Sequence, residues 1–364
     1  MCNGKMISAY VPILDSFVAA GTSESQIQVS QFTNVDSEVS WVAEQPAKSM
    51  RHFEFSGVTR PTTTTILGKC SHWPVNDIAH MGEHVAAVSA ATLSTWDLVK
   101  GRRVRHVTTP DHATTCKYIG ERLIAVSGHG RLIHLYDARL NTLNPAWTAK
   151  LATDNLYTLA VDGCTVFAAG ADGCIYGVDL RALHQYKWDL QPNLGRTHQE
   201  FGLGSDLRNG GSDVSNAVLD LKVFNGNLFF TLESGHMCAI PREFDMTSLK
   251  SVETMLDDTS RKLQSKRVTG GDYTFQAKYL STPVTTKIGC DVVGAGNDIH
   301  IVVGCELGGI NYYSYNQEKK IIELDTKIHG FDEDFGVLNP QWAPGGLYAS
   351  MGDALCLLPF QKQE

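Results

Sequence analysis

The sequence predicts an all-β protein that is built from repeated small antiparallel sheets, and two observations carry this prediction. A pattern of two short apolar strands joined by a turn of small residues recurs seven times along the 364 residues. Glycine is abundant, at 33 residues, as expected for a fold with a turn every few residues. The copies cover residues 16–32, 84–98, 122–139, 165–181, 227–241, 299–315 and 346–360.

These repeats predict how the sheets assemble. One small antiparallel sheet cannot bury both of its faces, so such units are stable when they pack radially against their neighbours. The shortest spacings between copies fit the roughly 40 to 45 residues of a four-stranded propeller blade. Longer spacings predict insertions at about 33–60, 191–215 and 241–290, the last with an amphipathic helix at 247–266. We therefore predict a single seven-bladed β-propeller over residues 1–364, with loop and helix insertions.

The second copy resembles a repeat of the WD-repeat family. It has His72 where the family has the histidine of a Gly-His pair, and it ends in Trp96-Asp97. In the family, a His, a Ser, a Trp and the Asp of the tight turn form a buried hydrogen-bond network that rigidifies each blade. No copy here contains all four. The resemblance implies a blade-fixing role for the residues His72, Ser89, Trp96, Asp97, Asp137 and Asp172.

Charge and cysteine content limit the class of function. The 31 basic and 39 acidic residues give a net charge of −8, which disfavours a surface built mainly for nucleic-acid phosphates. The nine cysteines are scattered and form no Cys-x-x-Cys pair, so neither a disulfide framework nor a zinc site is expected. We expect a reducing compartment, the cytoplasm or the nucleus. No signal-peptide core or long apolar run is present, so no membrane segment is expected.

The sequence offers little that indicates catalysis, and we expect no catalytic residue, metal or cofactor. His72, His80 and His84 lie close in sequence, but the first is explained by the repeat pattern and the others flank a predicted turn. The basic run at 100–106 is expected on the outermost strand of its blade, where charged residues prevent pairing of an exposed sheet edge.

Two closing triplets, Asp137-Ala-Arg139 and Asp179-Leu-Arg181, provide a candidate partner-binding rim. In WD-repeat proteins that serve as substrate receptors of cullin-RING ubiquitin ligases, a Trp-Asp-x-Arg end places an Arg where it meets the ligase adaptor. The resemblance implies this role for Arg139, Asp179 and Arg181. The alternative is that each Arg pairs with the Asp of its own blade.

The sequence thus predicts a non-enzymatic protein-protein interaction scaffold, a subunit of a nuclear or cytoplasmic complex of the nuclear-pore, mRNA-export or checkpoint type. One alternative is a ubiquitin-ligase substrate receptor, and another, of a different class, is a propeller-based hydrolase. The expected partners are other protein subunits. We also predict a last blade of three strands, because residues 1–5 are too short and polar to add a fourth. Its edge at 355–360 would then accept a partner's strand.

Overall fold

The computed structural model describes residues 6–14, 17–32, 51–54, 61–140, 142–181, 184–189, 217–233, 237–240, 289–295, 298–305, 309–318, 321–329, 337–343, 346–351 and 354–358. Its secondary structure over these ranges is all β, with 27 strands and no helix. Within them, no helix is long and apolar enough to cross a membrane. The predicted insertion at 191–215 and the predicted helix at 247–266 lie outside the described residues.

Four sheets have four antiparallel strands each, and we number the sheets along the chain. Sheet 1 contains β1 (Ile7–Leu14), β2 (Phe17–Thr22), β3 (Gln26–Gln31) and β5 (Thr63–Lys69). Sheet 2 contains β6 (Asp77–Met81), β7 (His84–Ser89), β8 (Thr92–Asp97) and β9 (Arg102–Thr108). Sheet 3 contains β10 (Ala113–Ile119), β11 (Leu123–Gly128), β12 (Leu132–Asp137) and β13 (Trp147–Lys150). Sheet 4 contains β14 (Leu156–Asp162), β15 (Thr165–Gly170), β16 (Cys174–Asp179) and β17 (His184–Asp189).

Three further sheets follow in the described part of the chain. Sheet 5 contains β18 (Val218–Phe224), β19 (Asn227–Leu232) and β20 (Met237–Ile240). Sheet 6 contains β21 (Cys290–Ala295), β22 (Asp298–Cys305), β23 (Gly309–Asn316) and β24 (Ile321–His329). Its fifth strand, β4 (Arg51–Glu54), pairs in parallel with β24 and comes from the predicted insertion at 33–60. Sheet 7 contains β25 (Val337–Ala343), β26 (Gly346–Met351) and β27 (Ala354–Leu358).

Each of the seven predicted two-strand copies is the antiparallel pair formed by the second and third strands of one sheet. The prediction of an all-β fold with seven sheets is therefore confirmed for the described residues. Sheet 7 has three strands there, as predicted, and β27 pairs with β26. Residues 1–5 lie outside the described residues, so the open edge at 355–360 stays a prediction.

Burial along the strands explains why these copies are so apolar. β15 is buried at all six positions, because neighbouring sheets cover both faces of a second strand. β9, an outermost strand, instead has five exposed side chains, and only Arg105 and Val107 are buried. Two of the second strands, β11 and β15, end in glycine for a separate reason. A Cβ on Gly170 would lie 2.7 Å from Leu156 Cα, and one on Gly128 would lie 2.9 Å from Ala113 Cα.

The hydrophobic core is divided among the interfaces between sheets. Seven clusters of buried side chains are present in the described residues; six join sheets that are successive along the chain, and the seventh joins the first sheet to the last. One of them packs Ile7, Tyr10 and Val18 of sheet 1 against Tyr348 and Leu355 of sheet 7. Consecutive first strands are also in contact, and β25 contacts β1.

Hydrogen bonds join the first and last sheets as well. The Tyr10 hydroxyl lies 3.0 Å from the Tyr348 carbonyl oxygen and 2.5 Å from the Asn339 carbonyl oxygen. The side-chain amide of Gln341 donates to the Tyr10 carbonyl at 2.9 Å. Sheets that are separated by more than 300 residues in sequence are therefore held together by both apolar and polar contacts.

Candidate binding face

The turns between second and third strands share one edge of the sheets with the segments that lead into the first strands. The Ala113 amide donates to the Ala90 carbonyl at 2.7 Å, and the His129 amide donates to the His112 carbonyl at 3.0 Å. We call this edge the turn face; it is defined by residues 23–25, 71–76, 90–91, 109–112, 129–131, 151–155 and 171–173. Chain reversals at this edge leave backbone and side chains available for contact.

Trp73 is the most prominent side chain of the turn face, because its indole is exposed while its backbone is fixed. The residue is 65% exposed. Its amide donates to Ser71 Oγ at 2.9 Å, and its carbonyl accepts from Ser89 Oγ at 2.6 Å. Both backbone polar groups of this exposed tryptophan are therefore occupied within the fold.

Three serine hydroxyls form the support beneath Trp73. Ser71 Oγ and Ser89 Oγ are 2.6 Å apart, and the Ser71 amide donates to Ser25 Oγ at 2.7 Å. Ser25 and Ser89 are completely buried, so these bonds have little competition from water. Ser25 belongs to sheet 1 and Ser89 to sheet 2, so this support also joins two sheets.

The expected blade-fixing network of sheet 2 is not formed, and the role assigned to His72 is corrected. The His72 side chain is exposed, and it is Ser71 that contacts Ser89. Trp96 is fully buried, but its indole N–H has no hydrogen-bond partner among the described residues. Ser89 does fix the segment that leads into β6, because its hydroxyl donates to the Trp73 carbonyl. His72 occupies the histidine position of the family pattern, but its side chain is exposed to solvent. The hydroxyl of Ser71, one residue earlier, makes the contact with Ser89.

Asp172 lies in the β15–β16 turn of sheet 4, where its carboxylate makes several hydrogen bonds. Its Oδ2 accepts from the Thr153 amide at 3.0 Å and from the Tyr176 hydroxyl at 2.6 Å. Its Oδ1 accepts from the Cys174 amide at 3.1 Å. Burial, followed by the bond to Asp172, raises the pKa of Tyr176. The carboxylate ties the β15–β16 turn to the segment that enters β14.

A cluster of histidine side chains also lies on the turn face. The rings of His112 and His129 are stacked with centroids 4.6 Å apart, and burial followed by the charge of His129 lowers the pKa of His112. His134 Nε2 is 3.8 Å from Asp111 Oδ2. Burial lowers the pKa of His134, and this effect outweighs the opposing effect of the Asp111 charge. In the described residues, no three His, Cys, Asp or Glu side chains are arranged to hold a metal ion.

Arg139 and Arg181 lie on the opposite face, after the third strands of neighbouring sheets. Arg139 Nη2 is 2.6 Å from Asp137 Oδ2, and Arg181 Nη2 is 2.7 Å from Asp179 Oδ2. In each pair the Nε group and the backbone amide of the Arg also donate to the Asp. The Arg side chains are 58% and 73% exposed, but the two Asp side chains are mostly buried. This geometry favours local pairing over the adaptor-binding role.

The pairing of Arg139 with Asp137 predicts a lowered pKa for the Asp137 carboxyl. Hydrogen bonds from Arg139 lower the pKa of Asp137 to about 2. Because the folded-state pKa is depressed, the pair stabilises the fold above the ordinary pKa of 3.8, and this contribution is lost as the pH falls through about 2. We expect Arg139→Met to return the pKa of Asp137 toward its ordinary value in a carboxyl NMR titration. Lys150→Met, which removes an exposed cation at the opposite end of sheet 3, should leave it unchanged.

Asp97 and Arg105 both have contacts that stabilise the fold. Asp97 accepts from the Lys100 amide at 2.9 Å and lies 2.8 Å from Lys100 Nζ, which stabilises the β8–β9 turn and lowers the pKa of Asp97. Arg105 is almost fully buried, although it belongs to the basic run. Its guanidinium donates to the Asp137 carbonyl at 2.8 Å and lies 5.5 Å from the centre of the Tyr136 ring. Arg105 therefore joins sheet 2 to sheet 3.

Charged residues of the first strands join further sheets. Asp77 Oδ2 accepts from the Thr115 hydroxyl at 2.7 Å and from the Cys116 amide at 3.1 Å, so it connects sheet 2 to sheet 3. Asp220 accepts from the Thr158 hydroxyl at 3.0 Å and from the Cys290 amide at 2.9 Å, so it connects sheets 4, 5 and 6.

Asp291 and Lys222 extend this set of charges. Asp291 Oδ2 accepts from the Trp342 amide at 2.7 Å, and burial raises the pKa of Asp291. Burial alone would lower the pKa of Lys222, but Asp220 and Asp291 outweigh it and raise the pKa. These carboxylates all accept backbone amides from neighbouring sheets, so their arrangement is explained by assembly of the sheets.

Neither Trp73 nor these inner carboxylates were predicted from the sequence. Trp73 stands outside the two-strand copies and directly follows His72, and the family pattern gives no role to the residue after that histidine. Asp77, Asp220 and Asp291 each stand near the start of an apolar first strand, and a lone acid in such a strand indicates a buried partner. A scan against models of known protein families finds no match, and a search of curated proteins finds no similar sequence. The WD-repeat resemblance therefore stays a prediction.

Proposed function

We propose that the seven sheets close into a seven-bladed, WD-repeat-like propeller. Two observations support closure: an apolar cluster lies between each pair of successive sheets, and one such cluster together with the Tyr10 hydrogen bonds joins sheet 7 to sheet 1. A ring of this kind removes the exposed sheet faces that separate small sheets would present to water.

The propeller acts as a non-enzymatic protein-interaction scaffold, a subunit of a nuclear or cytoplasmic assembly of the nuclear-pore, mRNA-export or checkpoint type. The observation that carries this proposal is the exposed indole of Trp73 on a fixed backbone. Tryptophan is enriched among the few residues that dominate binding energy at protein interfaces. A residue that is already ordered before binding also loses little entropy when a partner covers it.

The inner carboxylates support the scaffold over the hydrolase. A propeller hydrolase needs an acid, a base and a nucleophile that converge at the channel with a free position for substrate. Asp77, Asp220 and Asp291 instead accept backbone amides from neighbouring sheets. Such bonds satisfy the carboxylates within the fold and give them a structural role.

We expect Trp73→Ala to remove binding partners without loss of stability. The indole is exposed and its backbone bonds do not depend on the side chain, so the melting temperature should stay within about 2 °C of the unsubstituted protein. Loss of an interface tryptophan costs about 2 kcal/mol or more, a decrease in affinity of roughly thirtyfold. The measurement is quantitative mass spectrometry of proteins that copurify with each form.

Leu143→Ala is the matched control, since Leu143 is a similarly exposed apolar residue, in the segment between β12 and β13. It should retain the partners that Trp73→Ala loses. An identical set of copurifying proteins for all three forms would contradict the proposal that the turn face binds partners through Trp73.

A further inference from the structure

A second surface lies on the outermost strands of sheets 1 and 2. β5 and β9 are in contact, and the Arg103 guanidinium donates to the Lys69 carbonyl at 3.2 Å. We call this surface the basic rim; it is defined by Ile66, Lys69, Arg102, Arg103 and Val104. All five side chains are exposed.

The basic rim concentrates positive charge on an acidic protein. No acidic residue occurs between positions 61 and 76 or between 98 and 110, although the chain as a whole has a net charge of −8. Among the described residues, Lys69, Arg102 and Arg103 form no ion pair with a carboxylate. The field at this surface therefore attracts an anionic partner, and attraction of this kind raises association rates and selects partners by charge.

Protection of a sheet edge accounts for the cations but not for the apolar side chains among them. Ile66 and Val104 are 58% and 54% exposed and lie on the two neighbouring strands. The register shift between Thr95 and Trp96 leaves Val104 without a partner on β8, and such a bulge opposes addition of another strand. Recognition at the basic rim therefore depends on side chains.

We propose that the basic rim binds an extended acidic segment of another protein, in which Asp or Glu residues are mixed with aliphatic ones. The carboxylates pair with Lys69, Arg102 and Arg103, and the aliphatic side chains cover Ile66 and Val104. The seven residues of β9 extend over about 23 Å, which suits a partner segment of similar length. This surface adds to the proposed scaffold and does not depend on Trp73.

A nucleic acid is a poorer occupant of the same surface. β5 and β9 contain no Phe, Tyr or Trp, so they offer no platform on which bases would stack. The net charge of −8 also repels a long phosphate backbone beyond the rim itself. A short acidic peptide contacts only the positive surface.

The test uses a fluorescent nine-residue peptide of alternating Glu and Leu, with a Gln-for-Glu peptide and a single-stranded oligonucleotide as comparisons. Anisotropy is measured with the full chain at low and at physiological ionic strength. We expect the Glu peptide to bind most tightly, and salt to weaken it. The double variant Arg102→Glu/Arg103→Glu should bind it at least about tenfold more weakly, because attraction becomes repulsion.

The control is Arg122→Glu/Lys150→Glu, which makes the same change of charge at exposed positions outside the basic rim. It should bind the Glu peptide within about twofold of the unsubstituted protein, since distant surface charges are screened. Both variants should melt at the temperature of the unsubstituted protein. The proposal is overturned if the Gln peptide binds equally well, if both double variants weaken binding alike, or if the oligonucleotide binds more tightly than the Glu peptide.

Discussion

Asp220→Ala is expected to lower the free energy of unfolding by about 3–5 kcal/mol, as removal of one partner from a buried charged network does. Asp220 is buried and accepts from the Thr158 hydroxyl and the Cys290 amide, which belong to the two neighbouring sheets. Its Oδ2 is also 3.8 Å from Lys222 Nζ. Without the carboxylate, a buried amide and a hydroxyl lose their acceptor and Lys222 loses its nearest negative charge.

Equilibrium urea unfolding, followed by tryptophan fluorescence, measures this loss. The matched control is Glu121→Ala, which removes one negative charge at an exposed turn and should change stability by no more than about 0.5 kcal/mol. If the two variants unfold at the same urea concentration, the Asp220 carboxylate does not hold three sheets together.

The repeated two-strand units could be predicted because their cause is local. Leu132–Asp137 and Leu123–Gly128 are short apolar strands separated by three turn residues, and this pattern specifies an antiparallel pair regardless of what surrounds it. The basic run was predicted on the outermost strand because charged residues protect an exposed sheet edge, and β9 occupies that position.

Contacts between sheets could not be predicted, because they join residues that are far apart in sequence. Asp220 and Cys290 are 70 residues apart, and Tyr10 and Tyr348 are 338 residues apart. Such pairs depend on how neighbouring sheets are placed, which a strand pattern does not specify. For the same reason the family pattern assigned a role to His72, whereas the path of the loop gives the contact with Ser89 to Ser71.

Gly170→Ala is expected to lower the free energy of unfolding by about 3 kcal/mol, the upper end of the usual range for overpacking. Gly170 ends the second strand of sheet 4, where the added Cβ would meet the Asn155 carbonyl oxygen and lie 2.7 Å from Leu156 Cα. Both obstacles are backbone atoms, so no side-chain rotation relieves the overlap, and β14 and β15 would have to separate.

Gly163→Ala separates this effect from loss of backbone freedom. Gly163 has a φ of +55° and nothing within 4 Å of the position of an added Cβ, so alanine there costs only the strain of the left-handed conformation, about 1–2 kcal/mol. Urea unfolding of both variants should therefore place Gly170→Ala well below Gly163→Ala in stability. The reverse order would mean that the close approach of the segment entering β14 is not what requires glycine at position 170.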